Sequence, residues 1–239
     1  MSTLTLVRHG QATPFEENPD RLSNLGHNQA RMLGNYWLNK KMVFDEVYTG
    51  SLTRQQQTAN LIGDIYREAG APWPTPEVFN EFNEYDIDAI WEKHVPELLN
   101  QSPAFAQLFA AYQHDSNGPN HHRSFQFAME AVMNSWQDGS VEIEDIETWP
   151  AFRDRVRCGV QHILDRNGSS RRVVVFTSGG PIGATIQMAM NAPDRSALEV
   201  NWRVRNCSLC EFVFTRGRLT LDSFNGLPHL DDRSLWSYR

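Results

Sequence analysis

The chain has 239 residues, a formal net charge of -7 and a pI near 5.6, a balance that excludes a nucleic-acid-binding surface as its main business. No apolar run reaches the roughly 20 residues of a membrane span and no signal peptide precedes the first strand-like segment, so a cytoplasmic protein with no membrane partner is expected. Three cysteines build no disulfide framework and suit a reducing compartment.

In chain order, "TLTLV" (Thr3 to Val7) alternates and is β-branched, which predicts a first strand ending at "RHG". "LSNLGHNQARMLGNYWLNK" places Leu25, Met32, Leu33 and Trp37 at helical spacing, with Ser23 as candidate N-cap. A short strand, "DEVYTG", precedes a second helix that stops at Gly70, and "PEVFNEF" predicts a third strand. This β-α-β-α-β order implies an α/β layered domain. From about 87 to 148 the pattern turns helical, interrupted by a loop at "HDSNGPNHHRS", and reads as a cap inserted into a single domain. The aromatics of that insert, Phe105, Phe109, Tyr112, Phe125, Phe127 and Trp136, read as core, in an insert expected to lid the pocket. "RRVVVFT" returns the chain to the sheet, a helix follows at Pro181, and "NCSLCEFVFTRGRLTLDSFN" predicts two strands about Arg216 and Gly217.

Two stretches carry chemistry. "FTSGGPIG" ends a strand in a glycine turn at a helix N-terminus, where unpartnered amides and the helix dipole favour an anion. "LVRHGQAT" puts Arg8 and His9 at the carboxyl end of the first strand, where open α/β sheets gather ligands. A neutral imidazole beside a guanidinium is suited to attack phosphorus while the cation holds the phosphoryl oxygens.

R-H-G, "LSNLGHNQA", "SLTRQQQTA" and "VVVFTSGG" together resemble the histidine phosphatase superfamily, the phosphoglycerate-mutase-like enzymes. The resemblance implies a three-layer α/β/α sandwich, mostly parallel with an antiparallel edge. It also implies that His9 is phosphorylated during turnover, with Arg8 and Arg54 binding phosphate. The family's L-T-x-x-G-x-x-Q-A corresponds to Leu22, Ser23, Gly26, Gln29 and Ala30, and its S-x-L-x-R-A-x-Q-T-A corresponds loosely to "SLTRQQQTA". An acid after the third strand is expected to protonate the leaving oxygen; Glu84 fits the local pattern best and Glu81 competes with it. Ser178 stands where the family has its second histidine, and Ser178 with the Gly179 amide is expected to complete the phosphate cradle. Phe15 stands where mutase-type members have asparagine, which makes a hydrolase more expected than a mutase. His229 reads as packing or capping.

The expected function is therefore hydrolysis of a small phosphomonoester through a phosphohistidine, without metal or other cofactor. The alternatives are a phosphate-ligand-binding or regulatory protein and a mutase-type phosphotransferase. No P-loop and no G-x-S-x-G elbow is present, and "SGGPIG" lacks a following βαβ unit for a dinucleotide. Cys207 and Cys210 form C-x-x-C in an expected strand, where residues three apart face opposite ways. His121 and His122, adjacent in an expected loop, lack zinc-site spacing.

Overall fold

The computed structural model describes residues 1–13, 19–114, 118, 120–141 and 143–238. Phe15 lies outside the described residues. These residues divide into two compact units, Met1–Glu84 with Arg155–Arg239, and Tyr85–Asp154.

The first unit is built on a six-stranded sheet of order β3-β2-β4-β1-β5-β6, comprising β1 (Ser2–Arg8), β2 (Glu46–Thr49), β3 (Glu77–Val78), β4 (Arg172–Thr177), β5 (Leu209–Thr215) and β6 (Arg218–Gly226). β1, β2, β3 and β4 pair in parallel, while β5 and β6 run antiparallel and form one edge. The parallel centre explains the apolar run of β4: with both faces covered, Val173 to Phe176 are all fully buried. Helices α1 (Asn24–Asn39) and α2 (Thr53–Glu68) cover one face, where Leu33, Trp37, Ala59, Ile62 and Tyr66 pack on Val7, Val47, Val174 and Phe176. Tyr48, alternating with Val47, turns to the other face and meets Phe79, which meets His162 of α6 (Trp149–Asp165). After β4 come α7 (Gly179–Met190), which packs on β1 and β6, and the short α8 (Arg195–Asn201). The architecture is a three-layer α/β/α sandwich with a mostly parallel sheet and an antiparallel edge.

Ser23 caps α1, its hydroxyl accepting from Gly26 N at 3.1 Å, and Gly70 follows α2 at φ +66°. The expected third strand is cut to two residues, because after Phe79 N donates to Thr49 O the chain turns into a 3₁₀ segment, Asn80–Phe82. Cys207 is not in a strand: it precedes β5 at φ +56°, and its amide donates to the carbonyls of Arg8 and His9. Both C-x-x-C thiols are buried, and burial pushes the Cys210 thiol up to about 12.

The second unit holds α3 (Ile87–Gln101), α4 (Pro103–His114) and α5 (His121–Asp138). His121 and His122 open α5 rather than lying in a loop, and the His121 ring stacks on Tyr112. Trp91, Phe109, Tyr112 and Phe125 form one ring cluster, and Tyr85, Trp136, Trp149 and Phe152 another. Phe105 and Trp136 are buried as core; Phe127 is exposed, beneath the Arg123 guanidinium. No helix of the described residues is long and apolar enough to cross a membrane.

Candidate active site

β1 and β4 pair Arg8 with Thr177, so the residues that follow, His9 and Ser178, leave the sheet side by side at its carboxyl end. His9 is buried, its amide tied to Thr177 O at 2.8 Å, its carbonyl accepting from Asn206 Nδ2 at 3.1 Å. The backbone then passes across the first turn of α1 so closely that a Cβ on Gly10 would overlap the Gly26 carbonyl, and one on Gly26 the Gln11 carbonyl. Gln29 Oε1 accepts from Gln11 N at 2.9 Å, Thr58 Oγ1 from Gly10 N at 3.1 Å, and Gln57 Oε1 from Leu22 N at 2.8 Å. Gly26 and Gln29 of one motif and Thr58 of the other thus clamp the segment after His9, while Gln57 holds the entry to α1.

The imidazole is oriented from both ends. Its Nδ1 lies 2.7 Å from Gly10 O, which can only accept, so the hydrogen is on Nδ1. Its Nε2 then carries the lone pair and accepts from Arg54 Nε at 3.2 Å. Burial, then the charges of Arg54 and Arg8, hold the His9 pKa well below its ordinary value, opposed by the Gly10 hydrogen bond. A neutral, oriented imidazole among guanidinium groups is the result.

Arg8 donates through Nη1 to Val204 O. Arg54, at the start of α2, forms an ion pair with Asp20 at 2.7 Å, and Asp20 also accepts from Thr53 N at 2.7 Å. Its neighbour Gln55 is fully buried and donates to Ser178 Oγ at 2.9 Å and Phe82 O at 3.0 Å. Ser178 is the N-cap residue of α7, but its side chain makes no cap hydrogen bond.

The anion seat at the start of α7 holds the chain's own carboxylate: Gly180 N lies 3.1 Å from both oxygens of Glu84. The amide engaged is that of Gly180, one residue beyond the expected Gly179, whose own Cβ would overlap Asn201 Oδ1. Glu81 belongs to the 3₁₀ segment, and its Cβ lies over Gly159 of α6. His9, Arg8 and Arg54 are therefore brought together, and Glu84 meets the Ser178 turn. Among the described residues no group of three or more His, Cys, Asp or Glu is placed to share a metal ion. Asp20, Gln55 and Asn206 were not legible as site residues; only Gln55 left a sequence trace, standing where the family motif has alanine.

The family model of the histidine phosphatase superfamily (branch 1) matches residues 4–138 and 117–226, and the chain belongs to that superfamily. No curated protein sequence matches it. Among solved structures, phosphoglycerate mutase from Bacillus anthracis str. Sterne is similar at 18% identity and TM-score 0.65, covering 95% of this chain and 94% of its own. A mutant phosphoserine phosphatase from Entamoeba histolytica, in complex with phosphoserine, has 18% identity and TM-score 0.63 over 96% and 100% of the two chains. Alpha-ribazole phosphatase from Shigella flexneri has 22% identity and TM-score 0.61 over 94% and 96%.

Proposed function

We propose that the protein is a phosphatase that hydrolyses a small phosphomonoester through a phosphohistidine at His9, without a metal ion. The observation that carries the reading is the imidazole itself, buried, neutral, and pinned at Nδ1 so that the Nε2 lone pair points at the Arg54 guanidinium. In the first transfer Nε2 attacks phosphorus in line and the P–O bond to the alcohol breaks, while Arg8 and Arg54 hold the non-bridging oxygens. Ser178 and the first amides of α7 complete the cradle, in the place of the family's second histidine. Glu84 gives its proton to the departing oxygen, then takes one from the water that attacks phosphorus as the P–N bond breaks.

The Glu84 carboxylate accepts from the Gly180 amide at the start of α7. In this reading the substrate phosphoryl group takes over the Gly180 amide, and the displaced Glu84 carboxyl gains a proton beside the dianion. A second reading, a phosphate-binding protein with relaxed catalysis, draws on Ser178, which carries no charge and is fully buried against Gln55. The test is incubation with p-nitrophenyl phosphate followed by acid and base stability of the protein-bound phosphate. Acid-labile, base-stable label that is lost in His9→Ala is expected; phosphate binding without label would leave the binding reading.

A further inference from the structure

We propose that Gln55 is a positioning residue: its buried amide fixes the Ser178 hydroxyl and the segment leading to Glu84 relative to Arg54. This rests on the phosphatase reading given above. The Gln55 side chain is fully inside the protein and fully used, with Oε1 accepting from Leu52 N at 3.3 Å and Nε2 donating to Ser178 Oγ and Phe82 O. Gly50 is cut to fit it, since a Cβ there would overlap Gln55 Oε1. Phe82 O also accepts from Thr177 Oγ1 at 2.7 Å, so one carbonyl two residues before Glu84 is tied to both α2 and the end of β4. The three segments that bring Arg54, Ser178 and Glu84 to the site meet at this amide.

The direction of the central bond decides what Ser178 can do. The Gln55 Nε2 has only hydrogens to offer, so Ser178 Oγ is the acceptor there. The serine hydrogen is left to donate to another oxygen, and a hydroxyl already accepting an N–H bond donates more strongly. Gln55 thereby turns a rotatable hydroxyl into an aimed donor. Space follows the same logic, because positions 55 and 178, alanine and histidine in the family motifs, are here a larger and a smaller residue in contact. A histidine at 178 meets the Gln55 amide unless Gln55 is shortened with it.

The test is a double-mutant cycle on the full chain with Gln55→Met, which keeps length but removes both donors, and Ser178→Ala. The kcat and KM for p-nitrophenyl phosphate, orthophosphate affinity by calorimetry, and thermal melts are read for all four proteins. Each single change is expected to lower kcat about tenfold, with KM moved less than about threefold and the double variant no worse than either single. Losses that multiply in the double variant, or an unchanged kcat in Gln55→Met, overturn the proposal. If the unaltered protein binds orthophosphate but turns nothing over, the phosphatase reading fails, and the same cycle read in affinity still decides the coupling. A second pair covers the case in which Gln55→Met does not fold: Gln55→Ala with Ser178→His is expected to exceed Ser178→His alone in activity and melting temperature. Equal values for the two overturn the proposal.

Discussion

Arg54 Nε rests 3.2 Å from His9 Nε2, so the guanidinium assigned to hold a phosphoryl group lies on the lone pair assigned to attack it. Free protein and reacting complex therefore differ by at least one side-chain movement, in which Arg54 leaves the imidazole for the incoming oxygens. The same contact also ties the proton affinity of His9 to Arg54.

The His9 pKa is held well below 6.5 by burial and by Arg54 and Arg8, so the neutral imidazole persists as pH falls through 6.5 and is lost only at lower pH. The acid limb of kcat/KM should thus lie below pH 6.5. Arg54→Met removes one of the two charges and should shift that limb upward, burial and Arg8 still holding it down, alongside a large loss of rate. A pH–rate profile of both proteins checks this, and a limb that stays in place would remove Arg54 from the electrostatics of His9.

Asp20 competes for Arg54. The pair is partly exposed, at 20% and 31%, so it is worth no more than about 1 kcal/mol, or about fivefold in an equilibrium constant. Asp20→Asn should strengthen orthophosphate binding by up to about fivefold, read by calorimetry at low salt. Weaker binding would mean that Asp20 supports the site instead of occupying it.

Gly26 has no room for a methyl group, since the Gln11 carbonyl fills the space. Gly26→Ala must push the segment after His9 away from α1, at a cost of roughly 1–3 kcal/mol by overpacking. Urea unfolding measures the loss, and turnover should fall with it because the same segment sets the imidazole.

His229 is buried, with neither ring nitrogen hydrogen-bonded among the described residues, and burial lowers its pKa from 6.5 to about 4. The unfolded chain takes up this proton first as pH falls. The folded state therefore loses stability between pH 6.5 and about 4, by up to about 3 kcal/mol, and the effect levels off below that. His229→Leu should lack this part of the acid sensitivity and match or exceed the unaltered protein at pH 4.5 in urea midpoint.

The sheet and its helices were legible because their signals are local: alternation in β1, a buried run in β4, a serine cap on α1, a glycine after α2. Gly10, Gly26, Gln29 and Thr58 stood out as motif residues, and the close crossing they permit gives the pattern its physical reason. α8 is seven residues long, too short for a helical period, and β3 depends on where the Phe79 ladder bond ends rather than on its own composition. Asp20, Gln55 and Asn206 reach Arg54, Ser178 and His9 over 34, 123 and 197 positions of chain respectively, and no spacing rule announces such partners. The local pattern favours Glu84 over Glu81 in sequence, and the structure separates them physically: the Glu84 side chain meets an amide at the start of α7, while Glu81 lies over a glycine of α6.

In the proposed reading two carboxylates hold the groups that a phosphoryl dianion takes over, Asp20 the Arg54 guanidinium and Glu84 the Gly180 amide. Ligand uptake is then an exchange of one set of negative charges for another, not the filling of a bare positive hollow. Dissolved ions screen the departing Arg54–Asp20 pair as well as the arriving anion, so affinity for orthophosphate should fall less steeply with ionic strength than in Asp20→Asn.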